Sequence, residues 1–298
     1  MLLLGAGIRT AIQSRSVLAV PAVEQGAPVA SLDPAAGLPE PAASDAPSPE
    51  PSAPAVDSAP VLPETQIPML MYHEIAAGPN NLYVPPAELA AHLEYLKQNG
   101  YSPITLQQAY DNFTQGRKLP PHPIVLTFDD GYVSFYTNAW PLLKQHKAPG
   151  TLFVITGFVG KPGYVTWEQV KAMAGAGIEM GAHTVTHPDL RLVKGEQLQR
   201  EVAESRRVLQ EQSGQPVASF AYPAGKYNDQ TLAAVKEAGY TIAVTTEPGA
   251  VTPCQASLEW KRIRINKGVT VQALASLLQR AETDAAREGA CQVAVGPR

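Results

Sequence analysis

Histidine is absent after His187, aromatic residues are absent before Tyr72, and no lysine or arginine occurs between Arg15 and Lys97. Each gap excludes something. Eleven of the 28 prolines lie between Pro21 and Pro63 with no aromatic among them, so residues 21–66 cannot bury enough apolar surface to join a core. They are expected to form a disordered Pro/Ala-rich linker. Its only charges, Glu24, Asp33, Glu40, Asp45, Glu50, Asp57 and Glu64, are acidic, which excludes a nucleic-acid arm. Residues 1–20 are apolar from Met1 to Ile8 and then interrupted by Arg9 and Arg15. No run reaches the roughly 18 apolar residues of a membrane helix, so no transmembrane span is expected. A leader followed by a spacer fits an export signal, although the usual basic start is missing, and places the protein in the periplasm, the cell envelope or outside the cell. The only cysteines, Cys254 and Cys291, permit one late disulfide in an oxidising compartment or two free thiols. Net charge is −4, and the one basic cluster, Lys261, Arg262, Arg264 and Lys267, is too small for a nucleic-acid footprint.

The whole chain, 298 residues and 45% hydrophobic, is long enough to bury a full single-domain core of the size α/β barrels use. From Ile67 onward, strand-like runs alternate with helical patterns. Strands are expected at 68–72, 124–128, 151–155, 178–183, 218–222, 240–246 and 260–265. Helices are expected from about 86 to 98, then at 139–147, 167–174, 196–212, 229–238 and 271–278. The fold class is therefore α/β, a distorted (β/α)7-type barrel over residues 67–285, with a C-terminal tail at 286–298. Trp167 opens a helix behind Thr166 and reads as core, with Thr166 and Gln169 at capping-box spacing.

In such barrels reacting groups sit where strands end. The apolar run Ile124-Val125-Leu126 leads into Thr127-Phe128-Asp129-Asp130-Gly131, where two adjacent carboxylates repel unless a cation offsets them. His183 and His187 stand four apart after another strand-like run. By itself that pair would suit a helix surface. Combined with Asp-Asp at a strand end, it supplies two imidazoles and one carboxylate for a divalent ion with open positions, leaving the second carboxylate as a base. His73 ends the first strand, whereas His92, His122 and His146 end none. Arg262 and Arg264 alternate with Ile263 and Ile265, so both arginines share the face opposite the apolar pair.

These motifs resemble the polysaccharide deacetylases of carbohydrate esterase family 4, the NodB-homology domain. The resemblance implies that Asp129 is the general base and that Asp130, His183 and His187 hold the metal. Phe220-Ala221-Tyr222-Pro223-Ala224-Gly225 is similar to the family's third motif, which makes Tyr222 and Pro223 groove wall and a backbone N–H near Ala224 an oxyanion donor; Tyr132, beside the first motif, is a second groove wall. Three features depart from the common pattern, the first being that the family's usual Asp-Trp fourth motif is not evident. Ala221 stands where the family often has Arg, so another cation must neutralise Asp129, with Arg262 first and Arg264 second. The late Leu-x-His that supplies the general acid is missing, and Met71-Tyr72-His73-Glu74 looks like the variant in poly-β-1,6-N-acetylglucosamine deacetylases, where an early histidine does that work.

The implied function is metal-dependent removal of N-acetyl groups from a β-linked N-acetylglucosamine polysaccharide, whether exopolysaccharide, chitin or peptidoglycan. Alternatives are an O-acetyl esterase on xylan or another glycan, and a catalytically silent glycan-binding module. Zn²⁺ suits the ligand set, and Co²⁺ or Ni²⁺ would also fit.

Overall fold

The structure is a computed structural model that describes residues 66–287. The leader, nearly all of the linker and the tail beyond Arg287 lie outside the described residues. No helix among those described is long and apolar enough to cross a membrane. Cys254 is disulfide-bonded, and Cys291, the chain's other cysteine, lies outside the described residues.

Six parallel strands, β1 (Ile67–Tyr72), β3 (Pro123–Phe128), β4 (Thr151–Val154), β5 (Glu179–Ala182), β6 (Ser219–Ala221) and β7 (Ile242–Val244), follow one another around a curled sheet. The ends are joined by the segment 260–265. Trp260 exchanges backbone hydrogen bonds with Ala243 and Thr245 beside β7. Three residues on, β9 (Ile263–Arg264) pairs in parallel with β1, Leu70 opposite Ile263. Two short strands sit beside this ring, β2 (Ser102–Ile104) on β3 and β8 (Ala250–Val251) antiparallel on β1. The sequence reading omitted both, because neither is long enough to show a period.

The helices are α1 (Pro86–Gln98), α2 (Leu106–Gln115), α3 (Trp140–His146), α4 (Trp167–Gly175), α5 (Gly195–Gln199), α6 (Ser205–Ser213), α7 (Asp229–Glu237) and α8 (Val271–Arg287). Three observations refine the expectations. The helix α2 was missed, although Thr105 and Gln108 form a reciprocal capping box before it. The helix expected at 196–212 is one continuous stretch of α5, a π-helical turn at Arg200–Glu204, and α6. The last helix runs to Arg287 rather than ending at 278, because Ala281 and Ala285 continue the buried stripe of Leu274 and Leu278. Trp167 packs half-buried on the core behind the expected Thr166–Gln169 cap.

Strand residues alternate between two apolar layers. Met69, Val125, Phe153, Ala221, Val244 and Trp260 cluster inside the barrel, and Leu70, Tyr72, Leu126, Phe128, Leu152, Val154, Phe220 and Ala243 pack outward under the helices. Gly181 belongs to the inner layer. A Cβ there would lie 2.4 Å from the Phe153 ring and 2.8 Å from Ser219 Oγ, so β5 stays close to the interior only without a side chain. Gly181→Ala is therefore expected to lower stability by about 1–3 kcal/mol, the usual cost of overpacking, as measured by urea unfolding. An unchanged midpoint would show that Phe153 can move aside.

Candidate active site

The strand alternation carries past the strand ends and aims the chemistry inward. His73 keeps the phase of Met69 and Met71, Asp129 that of Val125 and Thr127, and His183 that of Gly181, while Arg262 keeps the phase of Trp260. All four are buried at one mouth of the barrel. Asp130 is out of phase and would turn away, but a left-handed backbone, φ 74°, brings its carboxylate back beside the two histidines. Further left-handed non-glycine residues adjoin it in Thr184 (φ 67°), His187 (φ 60°) and Ala224 (φ 52°). Backbone held in this region at several positions of the cluster and beside it costs energy that the surrounding fold must supply.

Arg262 is fully buried and holds Asp129 with a two-pronged grip, Nη1 to Oδ1 at 2.7 Å and Nη2 to Oδ2 at 2.8 Å. Two further donors are also used: Nε donates to the Thr245 carbonyl at 2.8 Å, and Nη1 reaches Thr127 Oγ1 at 3.1 Å. Thr127 in turn donates to the Leu70 carbonyl. Burial pushes the Asp129 carboxyl upward, but the paired guanidinium outweighs it and holds the group far below the ordinary carboxylate range. The cation that Ala221 cannot provide thus comes from Arg262, the residue just before β9 and the first of the two candidates; Arg264 is half-buried and does not pair with Asp129.

His73 Nε2 lies 4.0 Å from Asp129 Oδ2, and its Nδ1 is buried with no hydrogen-bond partner. Burial lowers its pKa below that of a free histidine, even against the pull of Asp129 and Asp130.

Asp130 Oδ1 lies 3.4 Å from His183 Nε2 and 3.7 Å from His187 Nε2, and one ligand atom from each of the three falls within 4.8 Å of the others. The donor set fits a divalent ion. His183 Nδ1 donates to the Ala221 carbonyl at 2.7 Å, which fixes the ring and leaves Nε2 to face the carboxylate. Burial lowers the pKa of His183, but hydrogen bonding to Asp130 and the carboxylate charges raise it above the usual value on balance. His187, less buried, is lowered by burial and by the adjacent His183.

Tyr132 is half-buried at the rim and stacks on Tyr164 with ring centroids 5.2 Å apart, while Phe158 meets Tyr164 edge-on at 5.1 Å. Tyr222, expected as a groove wall, is instead fully buried just beyond β6, stacks on Tyr227 and donates its hydroxyl to the Leu258 carbonyl at 3.0 Å. Strand phase decides this, since Tyr222 lies in register with Phe220 and not with Ala221. Pro223 is also buried, and only Ala224 is exposed beside the mouth.

Sequence reasoning missed Thr127 as a partner of Arg262, Tyr164 as the ring stacked on Tyr132 with Phe158 edge-on to it, and the buried Glu201 behind the histidine loop. A signal for Glu201 existed: a carboxylate on the apolar stripe of Leu198, Val202 and Leu209.

Removing the guanidinium should be costly. Arg262→Met leaves Asp129 buried and unpaired, with an expected loss of about 3–5 kcal/mol near neutral pH by chemical denaturation. The pH dependence has a definite sign. In the native protein the depressed Asp129 pKa contributes stability above roughly pH 4, lost as pH falls toward the folded value. In the variant burial, which raises that pKa, is opposed only by His73 and His183, so Asp129 takes up a proton at higher pH than in the native protein and the gap between the two should narrow as pH falls; a constant gap would contradict this account.

Comparison with known proteins agrees with this geometry. Residues 116–243 match the family model of polysaccharide deacetylase. The chain is 36% identical over 214 residues to YxkH of Bacillus subtilis, provisionally named a polysaccharide deacetylase, covering 72% of this chain and 76% of that protein. It is 28% identical over 187 residues to poly-beta-1,6-N-acetyl-D-glucosamine N-deacetylase of Staphylococcus aureus, covering 58% of this chain and 64% of that one. Among solved structures, the deacetylase PplD of Streptococcus pyogenes, in complex with acetate, superposes with a TM-score of 0.69 at 32% identity, over 72% of this chain and 99% of that one. IcaB of Ammonifex degensii superposes with a TM-score of 0.62 at 26% identity, over 72% and 97%. With its motifs, its barrel and relatives of this similarity in agreement, the chain belongs to the polysaccharide deacetylase family, carbohydrate esterase family 4.

Proposed function

We propose that this deacetylase removes N-acetyl groups from a β-linked N-acetylglucosamine polysaccharide, with an exopolysaccharide ahead of chitin or peptidoglycan. The observation that carries the proposal is the Asp130–His183–His187 cluster beside Asp129, whose two oxygens are both held by Arg262. The early His73, standing in for the missing late histidine, and the similarity to the staphylococcal poly-beta-1,6-N-acetyl-D-glucosamine N-deacetylase support the exopolysaccharide. The acidic linker and the disulfide at Cys254 support an exported protein.

Asp130, His183 and His187 would hold the divalent ion, for which Zn²⁺ suits best and Co²⁺ or Ni²⁺ would serve. A bound ion supplies an acidified water and polarises the acetamide carbonyl. Asp129 acts as the base that takes the water's proton. Arg262 keeps it ionised across the working pH range and fixes the direction of its lone pairs. His73, whose buried ring resists holding a proton in the resting protein, takes from Asp129 the proton that the water gave up and passes it to the amine nitrogen as the C–N bond breaks. Backbone N–H near Ala224 faces the developing oxyanion, and Tyr132 lines the groove along which the sugar lies. Acetate and a glucosamine unit are the products.

Acetate release from N-acetylglucosamine oligomers tests this directly. Metal-loaded native protein should act faster on a β-1,6 series than on a β-1,4 series, and Asp129→Asn and His73→Ala should each lower kcat/KM by about 10²–10⁴-fold. Acetate released from acetyl esters but not from the amides would replace this reading with an esterase.

Because His183 binds a proton more tightly than an ordinary histidine, protons compete with the ion for its Nε2. Metal affinity measured by chelator competition should therefore fall as pH drops from 8 to 6, about tenfold for each full proton displaced per pH unit. A pH-independent affinity would remove His183 from the ligand set.

A further inference from the structure

The loop Thr184–His187 carries one ligating histidine and has few ways of holding its shape. Two of its four residues, Thr184 and His187, are left-handed, and neither is glycine. Thr184 Oγ1 bonds both ends of this turn, accepting from the His187 amide at 2.9 Å and donating to the His183 carbonyl. The loop is gripped from two sides. On the barrel side, the Thr184 and Val185 carbonyls accept from the amides of Thr156 and Gly157 at 3.1 and 2.9 Å, and a Cβ on Gly157 would collide with the Val185 oxygen at 2.4 Å. On the helix side stands Glu201, 1% exposed, whose carboxylate takes every donor the loop offers there: Val185 N at 2.9 Å, Thr186 N at 2.8 Å and Thr186 Oγ1 at 2.6 Å.

Three donors on one buried carboxylate are more than packing requires. Glu201 also lies in the π-helical turn Arg200–Glu204, and such single turns inside longer helices recur at functional sites. The carboxylate does not touch the ligand cluster. It acts through the backbone of Val185 and Thr186, which leads into His187 and is joined to His183 by Thr184 Oγ1. Loop carbonyls held on one side and loop amides on the other leave the strained Thr184 and His187 conformations with little room to relax.

We propose that Glu201 is a positioning residue that keeps His187 in its ligating orientation and thereby sets how tightly the Asp130–His183–His187 cluster holds a divalent ion. The inference rests on the metal reading given above. A purely structural role would lower stability and leave affinity alone, whereas a positioning role shows in affinity.

The test uses the full chain and Zn²⁺ as the probe. Glu201→Gln keeps the shape but presents an amide to donors, and is expected to weaken Zn²⁺ binding about 10- to 100-fold by chelator competition. Leu209→Ala, a buried cavity about two turns beyond Glu201 along the same helical stretch, should lower the unfolding midpoint yet keep affinity within about twofold, since sites more than about 7–10 Å apart act independently. Thr186→Val removes only one donor and serves should Glu201→Gln not fold; it should weaken binding several-fold and speed amide exchange at Val185. Native-like affinity in Glu201→Gln, or in Thr186→Val if only that variant folds, overturns the inference and leaves the proposed function standing. Native protein that takes up no Zn²⁺ overturns both.

Discussion

A buried carboxylate beside a second carboxylate is the constraint on which this mouth of the barrel depends. Asp129 and Asp130 are neighbours in the chain, both buried, and each would raise the pKa of the other if nothing intervened. The fold resolves the conflict by giving each its own counter-charge. Arg262 satisfies both oxygens of Asp129, and the left-handed turn at Asp130 sends its carboxylate the other way, toward His183 and His187. The neighbouring carboxylates thereby stand in different surroundings, one held by a guanidinium and the other facing two imidazoles. Desolvating Arg262 is expensive, and the cost is met because Asp129, Thr127 and the Thr245 carbonyl use its donors.

That pair also explains why barrel closure and chemistry are coupled. Arg262 lies in the segment that joins β7 to β1, so the cation reaches Asp129 only when the ring is completed at Trp260 and β9. In relatives with the common third motif an arginine would approach from β6. Here Ala221 packs in the inner cluster, and the guanidinium comes instead from Arg262, the residue just before β9.

Much of this was legible in the sequence. The period of two placed His73, Asp129 and His183 at strand ends, and the alternation of Arg262 and Arg264 with Ile263 and Ile265 gave the arginines their face. The same rule, applied to Tyr222, would have shown that it shares the phase of Phe220 and is core; adjacency to a motif was the weaker guide. Asp130 and His187 are another matter, because their inward aim depends on positive φ at non-glycine residues, which no local propensity announces. Glu201 and Tyr164 act across distances of chain that only folding closes. The strands β2 and β8 were too short to carry a period, and the end of α8 is written in alanines, whose burial is a weak signal.

The central claim is that two imidazoles and a single carboxylate bind the ion while Asp129 stays with Arg262. X-ray absorption on the Zn²⁺-loaded protein tests it most directly, because imidazole rings give a distinctive outer-shell scattering pattern. The account predicts two histidine rings and light oxygen donors, one ring after His187→Ala, and an unaltered spectrum after Asp129→Asn. A spectrum that loses an oxygen ligand in Asp129→Asn, or shows no imidazole in the native protein, would contradict it.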